Sequence, residues 1–373
     1  MILSYFYILT SFVASLLVGM FMIPVVISFC KKKRLYDIPN ERKVHKSFVP
    51  RLGGICFMPC MVLSCMLAIA VFNNVSFSLK FNISLWACYF FLGLLCIYTV
   101  GVIDDLVGLK PKTKFLVQLF AAAILPFSGL YINDFYGFCG IHAIPFYIGA
   151  PLTVFIIVFI CNAMNLIDGI DGLSSGLSVV ALCGFLFSFL SVKMWVYGIL
   201  VSGLMGVLLA FMYFNIFGKP GKNKIFMGDS GSLTIGFILG VLFVKLSMNN
   251  PSVSPFSREG LLLAYSLLIV PVYDVCRVII VRLLHHRPIF IADKNHIHHK
   301  MLRAGLTQHQ ALCLILALAL FFIVLNTYIA KFSTLTIIVV VDIIVWIAFH
   351  VVLDHYIKKN NKDIFHCEAN VAE

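Results

Sequence analysis

PLTVFIIVFICNAMNLIDGIDGL, residues 151–173, decides how this chain is read. An apolar window over 148–167 is about as long as a bilayer is thick in helical residues, and it closes on Asn162, Asn165, Asp168 and Asp171. These four recur every three residues, so a helical stretch would bring them within about one face. Their oxygens suit a hard divalent cation, and they also suit a base or a ribose as hydrogen-bond acceptors. The plainer reading is an Asx-rich turn that caps a helix. A carboxylate in mid-membrane costs roughly 2.5–3.5 kcal/mol, which argues against four such residues following an apolar run without a use.

The same ending occurs twice more. Asp104 and Asp105 close the apolar run before GVIDDLVGL (101–109), and Asp229 opens the one after KIFMGDSGSL (224–233). Five of the sixteen acidic residues thus stand at helix ends. The adjacent pair repels itself unless a cation neutralises it; its plain role is to cap the next helix. The glycines around Asp229 let backbone N–H groups approach a metal diphosphate. GDSGS is similar to a serine-protease nucleophile loop, but no soluble barrel with His and Asp partners surrounds it. GKPGKNK lacks P-loop spacing.

The chain has 373 residues, is 61% hydrophobic and only 12% charged, and has a mean hydropathy of +1.01. That composition specifies an all-α polytopic membrane protein. A net charge of +12 suits anionic lipids and phosphorylated substrates, and no nucleic-acid partner is expected. The twelve Cys form no C-x-x-C pair, so neither a disulfide framework nor a zinc ribbon is read.

Eleven apolar windows lie near 3–30, 52–73, 84–103, 115–131, 148–167, 175–192, 195–215, 231–248, 259–281, 311–330 and 334–357. The N-terminus lacks a basic region ahead of its first window, which predicts a retained helix with its N-terminus outside. Twenty-three of the 28 Lys and Arg then fall on inside segments; Lys80, Lys193, Lys245, Arg258 and Lys331 fall outside. That bias predicts a cytoplasmic C-terminus and places every acidic motif on the cytoplasmic face. The expected organisation is one transmembrane catalytic domain over 1–357 and a short polar cytoplasmic tail over 358–373.

Two further segments carry cations. In DKNHIHHKMLRAGL (293–306), His296, His298 and His299 lie beside Lys294, Lys300 and Arg303. Asp293 can cap a short helix, Gly305 can end it, and Thr307 with Gln310 fits a capping box for the next. Clustered His suggests zinc, but no second ligand pair completes a site; donors that grip phosphate are the better reading. In NERKVHKSFVPRLGG (40–54), Lys43, His45 and Arg51 serve either phosphate contact or topology. Asp274 and Arg277, three apart in the ninth window, read as a structural ion pair. Asp342 has no reading.

Taken in order, R-K-V-H with P-R-L-G-G, V-I-D-D with P-K-T-K-F-x-x-Q, N-A-M-N-L-I-D-G-I-D-G-L, F-M-G-D-S-G-S and H-I-H-H with R-A-G-L resemble the polyprenyl-phosphate N-acetylhexosamine-1-phosphate transferase superfamily. They run from Arg42 to Leu306, and the most similar branch is the bacterial undecaprenyl-phosphate GlcNAc-1-phosphate transferases. The resemblance implies transfer of GlcNAc-1-phosphate from UDP-GlcNAc to undecaprenyl phosphate with release of UMP. It places the protein in the bacterial inner membrane, in contact with the lipid bilayer, as an initiator of cell-envelope polysaccharide synthesis. It implies Mg2+, with Mn2+ as the alternative, and a homodimer as the expected assembly. It further implies Asp229 and Asn165 as metal ligands. Asp104 would be the candidate base, with Asp105 in support and Lys114 following the pair. Asp171, with Asp168 near it, falls at the uridine; His296, His298, His299 and Lys43 fall around the diphosphate and sugar. The peptidoglycan branch has three consecutive His and a lysine three residues after the acidic pair. Here the run is H-I-H-H and that position is Gly108, so the GlcNAc branch is expected.

Two other classes fit the sequence less well. A cation-coupled transporter usually carries mid-membrane sites and repeat symmetry, whereas these acids crowd one face. An alcohol phosphatidyltransferase would need a D-G-x-x-A-R run, which is absent.

Overall fold

A computed structural model of the chain describes residues 2–37, 48–75, 85–249, 258–286, 288 and 295–371. The described chain is overwhelmingly helical, because a backbone in hydrocarbon must satisfy its own hydrogen bonds. Helix α1 (Ile2–Lys33) leads to a two-residue ladder of β1 (Tyr36–Asp37) and β2 (Val49–Pro50). A 3-10 turn, Gly53–Cys56, then starts α2 (Phe57–Val75), and α3 (Leu85–Val107) follows. Pro111 starts α4 (Pro111–Ala123) at the first helical position, where its missing N–H is not needed. The chain then forms a hairpin of β3 (Asp134–Phe138) and β4 (Ile141–Ala143). Next come α5 (Phe146–Ile167), α6 (Leu173–Ser191), α7 (Trp195–Ile216) and α8 (Asp229–Ser247). The remainder is α9 (Arg258–Leu267), α10 (Ile269–Leu284), α11 (Ile297–Arg303), α12 (Gln308–Ile329) and α13 (Leu335–Val371).

Among the described residues, nine helices are long and apolar enough to cross a membrane. The fourth apolar window falls instead on the 13-residue α4 and the turn after it. The ninth is split into α9 and α10 at Leu268. Pro271 accounts for that break: it offers no N–H to Leu267 and its ring crowds that carbonyl. The last helix continues beyond residue 357 to Val371.

Helix α8 is the axis of the bundle. Its hydropathy, 1.7, is the lowest of the nine, yet 94% of its window is buried, against 28% for α1, α12 and α13. Small residues allow this close packing. Gly236 and Gly240, four apart, face Cys161 and Ile157 of α5. A Cβ at Gly236 would lie 2.7 Å from Cys161 Cα, and one at Gly240 would lie 3.1 Å from Ile157 Cα. The approach continues one turn further along, where Asn165 of α5 donates to Ser232 Oγ of α8 at 2.8 Å. Large apolar side chains such as Phe21, Phe155, Phe187 and Val324 point outward, as a surface solvated by lipid requires.

Candidate active site

The ends of α3, α5, α7 and α10 and the starts of α2, α4, α8 and α12 meet at one end of the bundle. The start of α8 organises the junction. Its first N–H groups have no partner within the helix, and Asp105 of α3 supplies one from outside. Asp105, buried, accepts the Asp229 and Ser230 backbone N–H groups, each at 2.9 Å. The residue before them must be glycine: Gly228 has φ +74°, and a Cβ there would lie 2.5 Å from Asp105 Oδ2. Arg51 serves α3 in the same way. Its guanidinium donates to the Asp105 carbonyl at 2.7 and 3.1 Å, near the helix end where acceptors lack intrahelical partners, and to the Asp104 carbonyl at 3.3 Å. Arg51 also lies 3.9 Å from the Asp37 carboxylate.

Asp104 points elsewhere, since successive residues on a helix diverge by roughly 100°. It accepts the Leu109 N–H at 2.6 Å and the Lys114 ammonium at 3.1 Å. Lys114, in the first turn of α4, bridges to Asp229 Oδ2 at 2.7 Å. Burial works against its charge, but the carboxylates of Asp229 and Asp104 outweigh it and hold Lys114 above the ordinary lysine range. Asn165 completes the group, its amide donating to Asp229 Oδ1 at 3.2 Å.

The four acidic and amide residues of 162–171 do not share a helix face, contrary to the pattern in the sequence. Helix α5 stops at Ile167, and Asp168 adopts φ −73°, ψ 58°. Asn162 turns away to Gln118 of α4, at 2.6 Å. Asp168 sits half-buried among carboxylates. Burial first, then the charges of Asp229, Asp171 and Asp105, push it up to about 8. Asp171 pairs with Lys224 at 2.6 Å. Asn215, at the end of α7, pins this loop: it accepts the Gly172 N–H at 2.7 Å and donates to the Ile225 carbonyl at 2.9 Å.

A cavity of about 580 Å3 opens here, lined by Arg51, Asp105, Asn165, Asp168, Asp171, Asp229 and His299 among others. Its volume lies within the range of small-ligand sites. Asp104 and Lys114 stand beside it, not in its wall. Lys43 and His45 lie outside the described residues, as does Asp293. Lys224, Asn215 and Ser232 also line it, although the sequence reading gave them no role. Its place in the short basic stretch between the seventh and eighth apolar windows is the available signal for Lys224; Asn215 closes an apolar helix much as Asn165 does.

The three histidines diverge. His299 reaches the cavity. His296 turns back to Asp274 at 2.8 Å, and the same carboxylate accepts the Ile297 N–H at 2.9 Å and pairs with Arg277 at 3.0 Å. The expected ion pair is therefore present, and its larger task is to anchor the His segment. His298 is buried against Gly169, and neither ring nitrogen has a partner among the described residues. Burial, then His299, lowers it to about 3, so it is a neutral ring at physiological pH. Of the cationic or neutral phosphate donors expected in this cluster, His298 would be a neutral one. Zinc is unsupported: among the described residues no three His, Cys, Asp or Glu side chains are placed to hold a metal together. Thr307 and Gln310 do form the expected capping box on α12.

The charge balance favours a cation bound together with a substrate. Among the described residues, Asp104, Asp105, Asp168, Asp171 and Asp229 face Arg51, Lys114 and Lys224 as paired cations, and neighbouring carboxylates add to burial in raising Asp168. Mg2+ takes one or two carboxylates, keeps several waters and binds substrate phosphates. Asp229 with Asn165 would meet that demand with the Asn165 amide turned to present Oδ1, since its Nδ2 faces Asp229 and Ser232 here, and a dedicated three-ligand cage is not needed.

Residues 86–247 match the family model described as glycosyl transferase family 4. The chain is 32% identical over 336 residues, 88% of its length and 86% of the relative's, to a probable undecaprenyl-phosphate N-acetylglucosaminyl 1-phosphate transferase of Bacillus subtilis. It is 31% identical over 74% of its length and 71% of the relative's to a decaprenyl-phosphate N-acetylglucosaminephosphotransferase of Mycolicibacterium smegmatis. It is 29% identical over 76% of its length and 74% of the relative's to an undecaprenyl-phosphate alpha-N-acetylglucosaminyl 1-phosphate transferase of Escherichia coli O157:H7.

Proposed function

The chain belongs to glycosyl transferase family 4, and from that premise we propose that it transfers GlcNAc-1-phosphate from UDP-GlcNAc to undecaprenyl phosphate, releasing UMP. The reaction takes place at the cytoplasmic face of the bacterial inner membrane and starts a cell-envelope polysaccharide. One observation carries this reading: Asp229, at the start of the most buried helix, meets Lys114, Asn165 and Asp105 beside an acidic cavity of ligand size. Phosphoryl transfer needs positioning and charge neutralisation more than covalent help, and this junction supplies both at a membrane surface.

Asp229 and Asn165 would hold Mg2+, which when bound draws charge from the donor diphosphate. Asp105 holds the start of α8, and with it Asp229, in place. Lys114 meets the phosphates from the side of α4, oriented by Asp104. A phosphate monoester with a second pKa of about 6 is largely dianionic at neutral pH, so Asp104 acts by positioning Lys114 and need not take a proton. Lys224 and Asp171, braced by Asn215, bound the nucleotide end of the cavity; His299 faces it from the other side. A second cavity, about 580 Å3 and almost wholly apolar, runs between Phe138, Phe243, Leu335, Trp346 and Arg277, and its chemistry suits a polyprenyl chain.

The test is transfer of label from UDP-GlcNAc to undecaprenyl phosphate by purified protein, with Mg2+ or EDTA. Labelled lipid and released UMP that depend on Asp229 are expected. Labelling from UDP-GalNAc or UDP-MurNAc-pentapeptide alone would replace the donor, and no transfer from any UDP-sugar would overturn the enzyme reading.

A further inference from the structure

Asp342 stands about two turns into α13 and takes no part in the acidic site. It is fully buried, and no Lys, Arg or His pairs with it among the described residues. Its Oδ2 accepts the Tyr265 hydroxyl of α9 at 2.8 Å and the Asn326 amide of α12 at 3.0 Å. The same amide donates to Ser266 Oγ at 3.0 Å, and that hydroxyl donates to the Leu262 carbonyl at 2.7 Å. Tyr265 gives its proton to Asp342, so Tyr273, 2.6 Å away, must donate to Tyr265. Every proton of the network is thereby assigned, and the chain of donors ends on Oδ2. Among the described residues, two buried oxygens of this network have no partner: Asp342 Oδ1 and Asn326 Oδ1.

We propose that Asp342 is an intramembrane proton-binding site, whose Oδ1 carries a proton donated to Asn326 Oδ1. With the bond from Asn326 Nδ2 to Asp342 Oδ2, this closes a two-bond ring between acid and amide. One proton resolves three costs together. It removes an uncompensated charge from hydrocarbon, and it satisfies two buried acceptors that would otherwise stay unmet. A divalent cation does not fit, since two open oxygens fall far short of six or more ligands. The ring joins α12 to α13, and the Tyr265 hydroxyl ties α9 to both. Tyr265, Tyr273 and Trp346 also line the apolar cavity, so a neutral Asp342 places no charge behind these three side chains. The inference does not depend on the proposed reaction.

The experiment is infrared spectroscopy of the purified protein at neutral pH, as the difference between wild type and Asp342→Asn, with thermal unfolding of both and of Asp342→Leu. A protonated-carboxyl carbonyl band present in wild type and lost in the variant is expected. Asn at 342 supplies an N–H where the acid supplied O–H, so D342N should unfold within about 2 °C of wild type, while D342L falls further. An absent band, or a D342N that unfolds as early as D342L, would show an ionised carboxylate and overturn the proposal. So would a wild-type melting temperature raised by sodium chloride over choline chloride with D342N unresponsive, which would mean a bound metal cation. The band and D342N decide the matter even where D342L does not fold.

Discussion

Gly236→Ala removes no polar group and touches no residue of the acidic cavity, yet it should silence the site. The added Cβ would lie 2.7 Å from Cys161 Cα and 2.9 Å from its carbonyl oxygen, and ordinary contact begins near 3.4 Å. Both obstacles are backbone, so no side chain can swing aside. Helices α5 and α8 must part by about 0.7 Å, the difference between those two distances. One turn along, this same pair sets the 3.2 Å between Asn165 and Asp229. A misplacement of about 1 Å in a preorganised site costs on the order of 100-fold in rate, so transfer should fall about 30- to 100-fold. Gly240→Ala is the graded control: its Cβ would meet Ile157 Cα at 3.1 Å, a clash of about 0.3 Å, and the loss should stay under about 10-fold. The assay is initial-rate transfer from labelled UDP-GlcNAc at saturating lipid acceptor, with unfolding temperatures recorded to exclude collapse. A G236A enzyme within twofold of wild type, or a G240A enzyme slower than G236A, would refute the claim that helix approach sets the metal pair.

Asp105→Asn keeps one acceptor for the start of α8 but turns an amide toward the second N–H. Losing one bond to a buried charge costs about 1.5–3 kcal/mol, which should lower both the unfolding temperature and the transfer rate in parallel. Removing Mg2+ with EDTA should abolish transfer reversibly, and Asn165→Ala should raise the Mg2+ concentration for half-maximal rate, measured by titration. Asp168 is raised to about 8 from an unfolded value near 3.9. The folded protein therefore binds the extra proton, and its contribution to stability is full below about pH 4 and lost as pH rises toward 8. Asp168→Asn should flatten that part of the metal-free stability profile by thermal unfolding. His298, lowered to about 3, acts in the opposite sense: its contribution is full above about pH 6.5 and lost as pH falls toward 3. His298→Asn should shrink the acid limb of the same profile.

Much of this protein was legible in the sequence because membrane helices obey local rules. Length and hydropathy are properties of short segments, and among the described residues nine of the eleven apolar windows fall on helices long enough to span; the fourth falls on the shorter α4 and a turn, and the ninth is broken at Leu268. The capping box at Thr307 is equally local; the break at Leu268, three residues before Pro271, departs from the single window expected over 259–281. The order of the acidic motifs placed Asp104, Asp105, Asn165, Asp168, Asp171 and Asp229 at helix ends that do converge. The repeat of Asn and Asp every three residues misled, because the helix stops at Ile167 and His298 packs against Gly169 where a longer helix would run.

Apolar length, the polar ends of helices and the positions of charge are readable along the chain, since propensity, hydrophobic length and desolvation cost are local. Tertiary structure alone decided what each polar group does. Asp105 holds the start of a helix 124 residues away; Asp274 anchors His296 as well as Arg277; His298 is neutral; Asp342 meets Asn326 and Tyr265. Each of these roles depends on a partner brought within about 3 Å by helix packing, and hydrogen bonds and ion pairs fade within that distance scale.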